Sequence, residues 1–146
     1  MVLVAALAGT LHAAFSLYWA LGGQWLLDTV GDWAVRLTVE EPLLAGLGLA
    51  ALASLKLLAA WIPVLVDAGH LRGRAGWRRV SWIGGIALVA YGGLNTLVAL
   101  AVVSGLATPD GGYDHAAMIG HAALWDPLFL LWGAALVASL AASRER

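Results

Sequence analysis

No cysteine occurs among the 146 residues, which excludes disulfides, thiolate metal sites and cysteine nucleophiles. Charge is scarce as well. Asp, Glu, Lys and Arg make up 12% of the chain, about half of what a soluble domain carries. The formal net charge of −1 offers nucleic acid no electrostatic footing, so no nucleic-acid partner is expected. No His-Glu-x-x-His run and no glycine-rich phosphate loop is present, and His115 and His121 do not stack at helical spacing, so neither a metal nor a cofactor is expected. No clear internal repeat supports an inverted-repeat transporter. β-branched residues are few, and the strand alternation of a membrane barrel is missing.

Apolar residues are abundant, at 62% of the chain. They gather in four stretches, at about residues 2–22, 43–66, 80–106 and 116–142, each able to supply the roughly 20 residues that a helix needs to cross the hydrocarbon core. The expected fold is an all-α integral membrane protein: one domain, a bundle of four transmembrane helices. The first stretch lacks a basic residue ahead of its apolar core and reads as a retained span rather than a signal peptide. Arg72, Arg74, Arg78 and Arg79 lie between spans two and three, and Arg144 and Arg146 follow span four. Arg36 is the lone Lys or Arg in the other two connections, which hold Asp28, Asp32, Glu40, Glu41, Asp110 and Asp114. The positive-inside rule then puts both termini on the cytoplasmic side of the cell membrane. In the first outer loop, Gln24, Trp25, Leu26, Leu27, Val30, Trp33, Ala34 and Leu37 form a helix-like apolar stripe between acids, so an amphipathic helix is expected on the outer leaflet.

Ionisable groups inside spans are costly and therefore functional candidates. His12, Lys56, Asn95 and Asp126 fall about 10 to 13 residues from the outer end of their spans, a spread of about one helical turn. They predict one polar layer, with Lys56 paired to Asp126 and His12 and His121 exchanging protons with the pair. Ordinary readings stand beside this. Lys56 would snorkel, while His12 and the Tyr91–Asn95 pair would join helices by hydrogen bonds. Asp126-Pro127 fits either an N-cap followed by proline at the first helical position or a continuous helix in which Pro127 frees the Ala123 carbonyl. Among the eight tryptophans, Trp25, Trp33, Trp77 and Trp82 fit interfacial belts. Trp19, Trp125 and Trp132 reach deeper, where ring faces can line a pocket and stabilise a cation.

His12 with Tyr18-Trp19-Ala20-Leu21-Gly22-Gly23-Gln24-Trp25, and His121-Ala122-Ala123-Leu124-Trp125-Asp126-Pro127 followed by Phe129 and Trp132-Gly133, resemble a family of small four-span bacterial membrane proteins of unknown function. The resemblance spans nearly the whole chain and implies no activity. A looser similarity links size, span count and polar residues to the small bacterial membrane-bound terpene cyclases of indole-sesquiterpenoid pathways, without a matched motif. It implies cofactor-free protonation of a lipophilic, isoprenoid-like substrate in an enzyme that cyclises or isomerises it. Asp126, His121, His12 and Lys56 would then be catalytic, and Trp19, Trp125, Tyr91, Asn95, Trp132 and Gln24 would bind substrate. The alternative is a small transport or accessory subunit, working as a homo-oligomer or beside a partner, whose polar layer relays protons or holds helices together.

Overall fold

A computed structural model describes residues 1–143; Arg144 and Arg146 lie outside the described residues. Four helical segments are long and apolar enough to cross a membrane: Val2–Ala20, Pro42–Asp67, Arg74–Val103 and His115–Ala142. The protein is a multi-pass membrane protein, all-helical among its described residues. The first three spans are α1 (Val2–Ala20), α3 (Pro42–Asp67) and α4 (Arg74–Val103), and α2 (Asp32–Glu40) lies in the loop between the first two spans. The fourth is a single continuous run of α5 (His115–Gly120), a π-helical turn (His121–Trp125) and α6 (Asp126–Ala142).

Small side chains decide which helices lie inside. On α1 the buried face is Ala5, Ala8, Gly9, His12, Ala13, Ser16 and Trp19, at the three- and four-residue spacing of one helix side. α1 packs against α3 and α6, and α6 packs against α4, whereas α3 and α4 meet only lightly. The α3 seam toward the bundle is Ala45, Ala53 and Ala60. Gly85 and Gly92 on α4 face α6, where an added Cβ at Gly92 would lie 2.6 Å from the Asp126 carbonyl oxygen. Gly133 answers from α6, with a Cβ there falling 2.8 Å from the Gly85 carbonyl oxygen. Such close backbone approach is how helices associate where no hydrophobic effect drives them together.

Two boundaries differ from expectation for physical reasons. The third span begins at Arg74 rather than near residue 80, because its 30 residues extend about 45 Å, well beyond the hydrocarbon thickness. Its arginine-bearing first turns thus stand outside the apolar layer without breaking the helix. The outer stripe is helical only from Asp32. Before it, residues 24–30 form successive turns, with Leu26 at φ 61° and Gly31 at φ 136°. Leu27 and Ala34 from this segment pack with Trp19 and Trp125 in a buried cluster, so the loop caps the end of the bundle away from the arginines and does not merely rest on lipid.

Candidate functional site

His121 and Asp126 are five residues apart. On a regular α-helix they would diverge by about 140°. The π-helical turn between them widens the backbone to i→i+5 pairing and brings them into line, so that His121 Nδ1 lies 2.9 Å from Asp126 Oδ2. Asp126 has helical dihedrals, φ −77° and ψ −37°, and its carboxylate turns to His121 rather than to a backbone N–H at the helix start. The N-cap reading of Asp126-Pro127 is therefore replaced by the continuous, distorted helix. Pro127 brings no N–H to the ladder, and the π turn is where the backbone absorbs that loss.

The loop between α1 and α3 locks this turn in place. His121 Nε2 faces the Val30 carbonyl at 3.4 Å. The Trp125 indole N–H donates to the Thr29 carbonyl at 3.2 Å and to Thr29 Oγ1 at 3.0 Å. Gly120 allows the contact, since any Cβ there would strike the Thr29 carbonyl. The exit of α1 is built similarly. Gly22 takes φ +90°, Gly23 lies beneath the Tyr18 ring where a side chain has no room, and the Trp19 indole donates to the Trp25 carbonyl at 3.0 Å. These contacts give physical reasons for both motifs that the sequence singled out.

A second polar cluster joins α1 to α3. Lys56 Nζ donates to Ser16 Oγ at 2.8 Å and lies 3.0 Å from His12 Nδ1. Donation to Nδ1 leaves the ring proton of His12 on Nε2. The expected Lys56–Asp126 pair does not form. Lys56 takes His12 and Ser16 as its partners, while Asp126 pairs with His121.

Aromatic rings fill the space around the two clusters. The His12 ring lies 3.9 Å from that of Phe129 and 5.8 Å from that of Trp125, centroid to centroid. Lys56 Nζ stands 5.7 Å over the Phe129 ring, and Phe15 and Trp19 close on Trp125 edge-on. His12 Nε2, inside this shell, and Asp126 Oδ1 are buried with no partner among the described residues, and Asp126 is 1% exposed. A buried polar atom without a partner is uncommon and calls for an explanation.

The remaining candidates scatter. Tyr91 meets Phe129 edge-on at 5.6 Å yet is largely exposed. Asn95 turns back on its own helix and donates to the Tyr91 carbonyl at 2.9 Å. Trp132 packs in a different core cluster, with Ala5, Ala8 and Ala60, and meets the site only through its stacking on Phe129 at 6.3 Å. Gln24 is exposed, and its backbone carbonyl accepts from the Leu27 N–H. Phe15, Phe129, Thr29 and Val30 were not singled out as site residues. Phenylalanine in an apolar span looks like a lipid-facing residue, and nothing local marks a loop carbonyl as a partner. Among the described residues, no three His, Asp or Glu side chains gather as metal ligands.

Neither a curated protein nor a solved structure shows significant similarity to this chain. Residues 9–136, which include both clusters, match the model of a family described as "Protein of unknown function (DUF3995)". The chain is a member of that DUF3995 family of membrane proteins.

Proposed function

We propose that the protein is a membrane-embedded acid–base enzyme that acts, without metal or cofactor, on a lipophilic isoprenoid-like substrate. One observation carries this reading: among the described residues two buried polar atoms, His12 Nε2 and Asp126 Oδ1, have no partner, and aromatic rings stand against His12. In the proposed cycle Asp126 gives a proton from Oδ1 to an epoxide or alkene of the substrate. If it is an epoxide, the C–O bond breaks and the hydroxyl keeps that proton. The carbocation is attacked by an alkene of the same chain, and a final C–H proton returns to the His121–Asp126 pair, so the enzyme ends unchanged. The faces of Trp125, Trp19 and Phe129 stabilise the cation. Lys56 and Ser16 hold the His12 ring, whose Nε2–H binds the substrate oxygen. Entry is sideways from the bilayer, between α3 and α4, where the bundle is least closed. The arginine distribution supports cytoplasmic termini in the cell membrane.

Turnover of an epoxy-isoprenoid by the purified protein is the test. Asp126→Asn should lower it by about 10²- to 10⁴-fold with insertion and helix content unchanged. Full activity in that variant means that Asp126 is not the acid.

A second reading rests on the space available. The cavity between α3 and α4 measures about 110 Å³ and is lined by Trp132, Leu88 and Gly84 rather than by either polar cluster. Ligand pockets commonly measure 300–1,000 Å³. In an accessory or transport subunit the clusters would relay protons or tie helices together within a homo-oligomer or beside a partner. A wild-type protein with no turnover, whose Asp126→Asn variant loses only proton flux across vesicles, is the outcome that selects this reading.

A further inference from the structure

The arginine-bearing end of the bundle has a site of its own, roughly 21 Å along α6 from Asp126 at 1.5 Å per residue. A cleft of about 420 Å³ opens there, lined by Asp67, Arg74, Ser139 and Ser143 among others. Asp67 and Arg74 face the same space, yet no ion pair or hydrogen bond between side chains of described residues engages either. Arg78, one turn along α4, is fixed. Its guanidinium donates to Ser143 Oγ at 2.7 Å and to the Leu140 carbonyl at 2.9 Å. α4 begins at Arg74 without a side-chain cap, which adds the positive end of its dipole.

The cleft does not stop at its polar mouth. A narrow fissure shares Asp67, Arg74, Ser139 and Ser143 with it and continues past Arg78 to Pro63, Ser81 and Leu136. Those last three residues also line the apolar cavity of about 110 Å³ between α3 and α4. Gly84 and Leu88 line that cavity further along, and Trp77 lines it nearer the charged end. Polar cleft, fissure and apolar slot thus form one row that runs from the charged end toward the bilayer interior.

We propose that this row is a binding site for a phospholipid whose headgroup carries both a phosphate and a primary ammonium. The phosphate lies between Arg74 and Arg78, where planar guanidiniums suit its oxygens. The ammonium pairs with Asp67. Only the first few methylenes of one acyl chain fit the slot of about 110 Å³ beside Gly84 and Trp77, and the rest of the chain stays in the surrounding bilayer. A purely anionic headgroup would leave Asp67 facing like charge, and a choline headgroup offers it no N–H. Basic pockets between transmembrane helices are known headgroup sites. Here Asp67 adds selection among headgroups.

The test uses the full chain, released from mixed bilayers of phosphatidylethanolamine, phosphatidylcholine and phosphatidylglycerol in equal parts, with retained lipid counted by native mass spectrometry. The expected result is at least a fivefold preference for phosphatidylethanolamine over either competitor. Arg74→Gln should lower retention of all three lipids, since each carries the phosphate. Asp67→Asn should abolish the preference between the ethanolamine and glycerol lipids. Gly84→Leu should weaken retention of all three by filling the slot, and it has room to do so because a Cβ at Gly84 meets nothing within 4 Å. Arg79→Gln, an exposed arginine outside the cleft, should change none of these values. Equal retention of the three lipids by the wild type overturns the proposal, and so does an equal loss in Arg79→Gln. Soluble O-phosphoethanolamine separates the two sources of this chemistry. Complete displacement of the lipid at millimolar concentration would assign the cleft to a water-soluble amine phosphate and overturn the lipid assignment.

Discussion

His12 with Lys56, and His121 with Asp126, are built by opposite means. The first pair spans two regular helices and is closed by a long, flexible side chain. The second lies on one helix and exists because five residues there are wound as a π turn. In the first, geometry comes from packing: Ala13 and Ala53 let α1 and α3 approach, and Lys56 reaches across. In the second, geometry comes from the backbone, and the loop residues Thr29 and Val30 hold it. A pair of the first kind tolerates small shifts of its helices. One of the second kind is rigid and depends on each of its supports. π turns recur at functional sites, which adds weight to the His121–Asp126 pair as the reacting one.

Pro127→Ala should separate the two pairs most sharply. It restores an N–H that can bond to the Ala123 carbonyl and lets the turn relax toward α-helical winding, which carries His121 away from Asp126. In the enzyme reading, turnover falls by about 10²-fold, as misplacement of a reacting group does. Nitrogen NMR of labelled histidine should show His121 losing its Nδ1 hydrogen bond while the His12 signals stay in place. An unchanged His121 signal would mean that Pro127 does not hold the π turn.

The support from the loop is tested by Gly120→Ala. Its Cβ collides with the Thr29 backbone, which has no rotamer to escape into. Thermal unfolding in detergent should show a loss of about 1–3 kcal/mol, the usual cost of overpacking, with Trp125 fluorescence shifted as its bond to Thr29 opens. Lys56→Met should cost less, about 0.5–1.5 kcal/mol. Its side chain is one atom shorter, and it removes one hydrogen bond to Ser16 and one to His12, a loss partly offset because no ammonium is buried any longer. A loss as large as that of Gly120→Ala would contradict the tolerance assigned to the first pair.

This contrast also explains what could be read from the sequence. Long apolar runs define four spans because only helices satisfy their own backbone in lipid. Counting residues inward brought His12 and Lys56 to one level, since both helices are regular and depth follows from residue number. The same counting placed Asp126 near them but gave it the wrong partner. An Asp-Pro step is compatible with a cap, a kink or a π turn, and only the fitted loop decides between them. Asn95 shows the opposite failure. Its depth was suitable, but depth says nothing about facing, and on α4 it turns to the Tyr91 carbonyl. The partners of the glycines at 92, 120 and 133 were not visible without the fold.

The smallest expected effect lies at the end of the bundle away from the arginines, where Asp114 joins the two structures that hold the second pair. Its Oδ1 accepts the Ala117 N–H at 3.0 Å and caps α5, while its Oδ2 accepts the Asp32 N–H at 3.0 Å at the start of α2. The Ala117 and Asp32 amides hold the carboxyl below the ordinary aspartate value of 3.8, because they bond to its charged form. A carboxyl depressed in the folded state stabilises above its unfolded value and loses that contribution as pH falls through the folded one. The clamp should therefore hold from neutral pH down to about pH 4 and weaken progressively below it. Hydrogen exchange at the Ala117 and Asp32 amides should accelerate in that acidic window relative to amides within α1. Asp114→Asn retains an acceptor for one amide and removes the titration, so it should exchange slightly faster at neutral pH and lose the additional acid-dependent step. If the step persists in Asp114→Asn, another group governs the loop. The His121–Asp126 pair would then be held by the Thr29 and Val30 contacts without help from this clamp.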